Sequence, residues 1–70
     1  MAEELREIAR IELPYRRRAI VKEVIFDSGM RMTRLVLKEG TRITQVDLDS
    51  ETAEQLGSLL LSEANKGQSS

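Results

Sequence analysis

Apolar and polar residues alternate with a period near two over the first two thirds of the chain, then recur at spacings of three and four over the last third. A period of two belongs to strands and a period near 3.6 to a helix, so the pattern predicts a sheet followed by one helix. Residues 30–48 read as two strands about a tight turn at Lys38, Glu39 and Gly40, where Gly40 supplies the left-handed backbone that a compact hairpin demands. In the first of these strands Thr33, Leu35 and Leu37 share a face, which we assign to the core; Met32, Arg34, Val36 and Lys38 share the other. In the second, Thr44, Val46 and Leu48 point one way. Ile43 lies among Arg42, Gln45 and Asp47, so no clean polar face forms.

Residues 19–26 are rich in valine and isoleucine and predict a further strand. Ile20, Val24 and Phe26 share a face with Lys22, and Val21 and Ile25 share the other with Glu23. Both faces are thus partly apolar. A sheet covered by one helix needs only one apolar face, so the second is expected to lie against another copy of the chain. Asp27, Ser28 and Gly29 predict a turn. For residues 6–13, Glu3 and Glu4 would suit a helix start. The alternation of Ala9, Ile11 and Leu13 with Arg10 and Glu12 favours a strand, ended by Pro14 because proline cannot donate a ladder hydrogen bond. Whether residues 1–13 join the sheet stays open.

Asp49 is the expected helix cap, its carboxylate accepting first-turn amide hydrogens. Leu48 and Ala53 would staple across it, and Glu51 complements the helix dipole. Ala53, Leu56, Leu60 and Ala64 form a stripe expected to be buried on the sheet. Gly57 beside them predicts a close backbone approach there, and Leu59 and Leu61 flank the stripe as candidate self-association residues. The helix is expected to end near Asn65, with Lys66 at its C-terminus and Gly67 terminating it. The expected organisation is one domain over residues 1–66 and a disordered polar tail over 67–70. The fold class is α+β: a four-stranded antiparallel sheet followed by one C-terminal helix (ββββα), expected to be homodimeric.

Size sharpens the dimer expectation. A chain of 70 residues buries only about 60% of the surface its unfolded form exposes, and small domains compensate with disulfides, metals or partners. Cysteine and histidine are both absent, which removes disulfides, thiolate metal sites and the commonest other zinc ligand. Association is the remaining remedy. The same absences leave the serine and threonine hydroxyls without an imidazole to activate them. Lys22 in an apolar strand is better read as a snorkelling side chain near Glu23 or Asp27 than as a reactive amine. Asp47, Asp49 and Glu51 lack a calcium-type loop, and Gly29, Gly40, Gly57 and Gly67 are too scattered to cradle a phosphate. We therefore expect no catalytic residues, no metal and no cofactor. The charged beginning of the chain has no apolar core of signal-peptide length, and the longest apolar run, residues 59–61, is far short of a membrane span. A cytoplasmic location is expected.

Charge is uneven beneath a net of −1. Residues 16–42 carry eight basic side chains against three acidic, and residues 43–70 carry five acidic against Lys66. A basic sheet beside an acidic helix results, with surface pairing between the two as the plainest outcome. The leading expectation for function is a non-catalytic interaction module, an accessory subunit or adaptor for a larger protein. The alternative is single-stranded nucleic-acid binding through Arg16, Arg17, Arg18, Arg31, Arg34 and Arg42, with Tyr15 as a stacking platform.

The residues Arg34, Leu35, Val36 and Leu37, the turn at Lys38, Glu39 and Gly40, and the strand-to-helix passage VDLDSETAEQL resemble one protomer of the transcriptional-coactivator fold. That resemblance implies a dimer that binds single-stranded DNA. The chain as a whole, above all IELPY, DSGMRMTRLVLKEGTRITQVDLD and ETAEQLG, is similar to a group of short bacterial proteins of unknown function, which implies no activity.

Overall fold

The alternating segments do form strands. The computed structural model describes residues 3–68: β1 (Glu4–Leu13), β2 (Arg17–Ile25), β3 (Arg31–Glu39), β4 (Arg42–Leu48) and α1 (Ser50–Gln68). The strands make one antiparallel meander in the order β1-β2-β3-β4. The first strand joins the sheet, pairing with β2 from Glu4 opposite Ile25 to Leu13 opposite Arg17. Gly29 (φ 90°) and Gly40 (φ 62°) take left-handed backbone in the two later turns. The turn before β3 is closed by the Gly29 amide donating to the Phe26 carbonyl at 2.8 Å.

Register fixes the two faces. Glu7, Lys22, Arg34 and Asp47 stand in one row across all four strands, with the row of Arg10, Ile20, Val36 and Gln45 beside it on the same face. Ala9, Val21, Leu35 and Val46 form a row on the opposite face, next to Ile11, Ala19, Leu37 and Thr44. We call these the ionic and the apolar face. The register shifts between Glu7 and Ala9, leaving Ile8 as an extra residue in β1. Such a bulge bends its strand. The start of β1 accordingly curls over the ionic face, bringing the Glu3 carboxylate to 3.8 Å from the Arg34 guanidinium on β3.

That curl decides where the small core sits. Among the described residues the buried ones are Ala19, Ile20, Val24 and Val36, with Val24 fully enclosed. Three of the four lie on the ionic face, beneath register neighbours with long side chains: Leu5, Arg10, Lys22, Met32 and Arg34. The expected core set on β3 is corrected by this arrangement. Val36 is the buried residue, Thr33 and Leu35 are half-buried, and Leu37 is exposed.

The helix begins as expected and ends elsewhere. The Thr52 amide donates to Asp49 Oδ1 at 2.7 Å, and this bond holds the Asp49 carboxyl below its usual range. Gly67 does not stop α1, which continues to Gln68; Ser69 and Ser70 of the expected tail lie outside the described residues. The expectation that α1 covers the sheet is also corrected. Ala53 is half-buried, and every other residue from 51 to 67 is exposed. The molecule extends 50 Å in its longest direction, more than the ~33 Å of a ten-residue strand, so α1 runs on past the end of the sheet. Gly57 makes no close approach to the sheet: a Cβ there would meet nothing within 4 Å.

Candidate interaction surface

Most of the candidate arginines spend their charge within the sheet. Arg31 Nε donates to Glu23 Oε2 at 2.6 Å, and Arg6 Nε donates to Glu23 Oε1 at 3.1 Å. One carboxylate thereby ties β1, β2 and β3, and these two bonds, Arg31 first, hold Glu23 below the usual carboxylate range. Arg34 forks onto Asp47 at 2.7 and 3.0 Å, which depresses Asp47 and raises the guanidinium in turn. Arg18 bonds Glu12 at 2.8 Å, and Arg17 bridges Glu39 at 2.8 Å. Arg16 and Arg42 form no ion pair among the described residues, and neither does Lys38, which stands opposite Arg18. The six arginines therefore do not make one surface. Arg31 lies at the end of the sheet where β3 starts, Arg34 lies inside the ionic face, and Arg16, Arg17, Arg18 and Arg42 gather at the end that carries the β1–β2 and β3–β4 turns.

At that end the backbone itself is unusual. Tyr15 (φ 63°) and Arg16 (φ 60°) are consecutive non-glycine residues in left-handed conformation. Each such residue costs about 1–2 kcal/mol, so the turn is strained. The strain presents the Tyr15 ring outward, 86% exposed, with the Arg17 guanidinium carbon 5.8 Å from the ring centroid. A shallow cleft beside it is lined by Glu12, Arg16, Arg18, Lys38 and Gly40. Lys38 was not among the six candidate binding residues expected from the sequence. The parity of the two turns could have found it, because it places Lys38 beside Arg18.

The larger feature is apolar. On the apolar face Leu37, Val46 and Ile11 are 40%, 47% and 53% exposed, around half-buried Val21 and Leu35. They form one continuous surface because their rows are adjacent in register. The ion pairs of Glu23 bound it at one end, and the Arg17–Glu39 pair with Arg42 bounds it at the other. On α1, Leu56, Leu60 and Leu61 are exposed as well. Leu59 and Leu61 are both open, yet two residues on a helix differ by about 200° in direction, so one flat partner cannot take both. Leu59 and Leu61 stand about 100° to either side of the centre of the stripe of Ala53, Leu56, Leu60 and Ala64.

Among the described residues no group of three acidic side chains is placed to hold a metal ion, and no helix is long and apolar enough to cross a membrane. Residues 2–66 match the model of a protein family described as a family of unknown function (DUF6967). No curated protein and no solved structure matches the chain.

Proposed function

We propose that this chain, which belongs to the family of unknown function DUF6967, is a non-catalytic interaction module: an accessory subunit or adaptor that works through protein–protein contacts. One observation carries the reading. The sheet exposes a continuous apolar face through Ile11, Leu37 and Val46, and the helix that follows leaves that face open. Contiguous apolar surface rimmed by charge marks contact sites in folded proteins. Aqueous exposure of such a face is unfavourable by roughly 25 cal/mol for each Å², so a partner that covers it is stabilised by the covering.

The test uses the full chain as bait in native extract, beside a Leu37→Lys, Val46→Lys variant whose circular dichroism matches the parent. A protein held by the parent and released by the variant is the expected result. An identical set of retained proteins for both baits would overturn the reading.

A second reading, single-stranded nucleic-acid binding, is favoured by the turn end alone. There Arg16, Lys38 and Arg42 are without ion pairs among the described residues and stand at the same end of the sheet as the exposed Tyr15 ring. The chain has one tyrosine and no tryptophan, so its intrinsic fluorescence reports from this spot. Titration with oligothymidine at low salt is expected to quench it. Three neutralised phosphates give a log–log salt slope of about −2. An unchanged signal at low salt would remove this reading.

A further inference from the structure

The apolar face and α1 are complementary, and the single chain leaves both unused. Its accessible surface is 5743 Å², whereas a compact folded chain of 8.0 kDa exposes about 4,450 Å². Its radius of gyration is 14.1 Å, against about 11 Å for a compact domain of this length. The excess surface is about 1,300 Å² per chain, or about 2,600 Å² for a pair, which lies in the range of obligate dimers.

The chain's own helix is a poor candidate to cover its own sheet. Asp49 alone separates β4 from α1, and its carboxylate is engaged with the Thr52 amide. Laying α1 back over the sheet would require this capped, one-residue junction to unwind. A second copy needs no such change. Charge agrees: the described residues before Asp49 carry ten basic and eight acidic groups, while residues 49–68 carry four acidic groups and Lys66. Glu51 and Glu54 on α1 and Arg42 at the rim of the apolar face form no ion pair among the described residues. The dimensions match too. A helix of 19 residues is about 28 Å long, and strands of nine residues are about 30 Å long.

We propose that α1 of each protomer lies across the apolar sheet face of a second copy of this chain, so that two chains exchange helices in a symmetric dimer. This assignment rests on the same open face as the interaction-module reading and names the second copy as its occupant. The inward side of α1 is then Leu56 and Leu60 with Ala53, Gly57 and Ala64, and Leu59 and Leu61 lie at its two edges. Gly57, against which nothing packs in one chain, gains its role here. A stripe with a small centre lets the helix axis approach a flat sheet closely.

The absence of native cysteine makes the geometry directly testable. Chains carrying only Leu60→Cys and chains carrying only Leu37→Cys are unfolded together, refolded and oxidised. A mixed disulfide of twice 8.0 kDa, containing one chain of each kind, is expected. Disulfides between two Leu60→Cys chains alone would indicate helix-to-helix pairing and overturn the exchange. Closure within one chain of the double variant would overturn it equally, as would a single-chain mass in sedimentation at every concentration. Gly57→Leu adds a second readout. It replaces glycine by a strong helix former in open space, so a lone chain should fold at least as well. In the exchanged dimer the added bulk should weaken association about tenfold; equal or tighter association would overturn the proposal. A single-chain parent whose outside partner is still lost on Leu37→Lys would sink the exchange and leave the interaction reading standing. A mixed disulfide with no outside partner would do the reverse.

Discussion

Two residues depart from what their neighbours do, and both are in the β1–β2 turn. Tyr15 and Arg16 hold left-handed backbone without being glycine, asparagine or aspartate. They lie in a three-residue connection, 14–16, whose ends are fixed by the pairing of Leu13 with Arg17. Arg16→Asn removes part of this strain, since asparagine tolerates the left-handed region. The variant is expected to be more stable by about 1 kcal/mol in urea unfolding, with unchanged circular dichroism. A stability equal to or below that of the parent would show that the turn is not strained. The same substitution removes a cation beside Tyr15, so oligonucleotide affinity should fall if the turn end binds nucleic acid.

Carboxylates tie neighbouring strands to one another across the sheet. Glu23 joins β1, β2 and β3 through Arg6 and Arg31, and Asp47 joins β3 to β4 through Arg34. Each of these carboxyls titrates lower in the folded chain than its ordinary value, as do Glu7, held by Arg10, and Asp49, held by Thr52. A group whose pKa is lowered by folding binds fewer protons in the folded state. Its contribution is therefore complete above its unfolded pKa of about 4 and disappears as pH falls through the folded value. The urea midpoint is expected to stay flat from about pH 7 to 5 and to drop below about pH 4. These side chains are partly exposed, so added salt should shrink the drop. A midpoint at pH 3 equal to that at pH 7 would show that the pairs contribute nothing net.

For the whole molecule, the proposed dimer would make stability and association one quantity. A sheet with four buried apolar side chains among the described residues, beside an exposed helix, gains stability from anything that covers it. Anything that binds only the folded form raises its apparent stability by mass action. The melting temperature of the parent is accordingly expected to rise by a few degrees for each tenfold increase in protein concentration, and that of Leu37→Lys, Val46→Lys to stay constant. A concentration-independent parent would place the chain among self-sufficient small domains. The uneven charge also acts at this scale. In the proposed dimer the acidic helix faces the basic strands of the other copy, so association should weaken as salt rises.

The order of elements was legible because each is a local matter. Alternation in residues 31–38 and 42–48, glycine at positions 29 and 40, and an aspartate before an acidic first turn are decided by backbone and capping preferences within a few residues. The presence of apolar residues on both sides of β2 was legible for the same reason: it follows from parity. Coverage was not. Alternation separates Val36 from Leu37 but does not say which of them is shielded. That was settled by the extra residue Ile8, which bends β1 over the ionic face, and by the direction in which α1 leaves β4. Nor could sequence say that Arg31 would find Glu23 or Arg34 find Asp47, since those meetings depend on strand order and register over 8 and 13 residues. The chain alone determined which segments are strands, which is the helix and how its charge divides, because those depend on neighbours in sequence. The tertiary structure alone decided which apolar face stays exposed, because burial depends on groups brought together from distant parts of the chain.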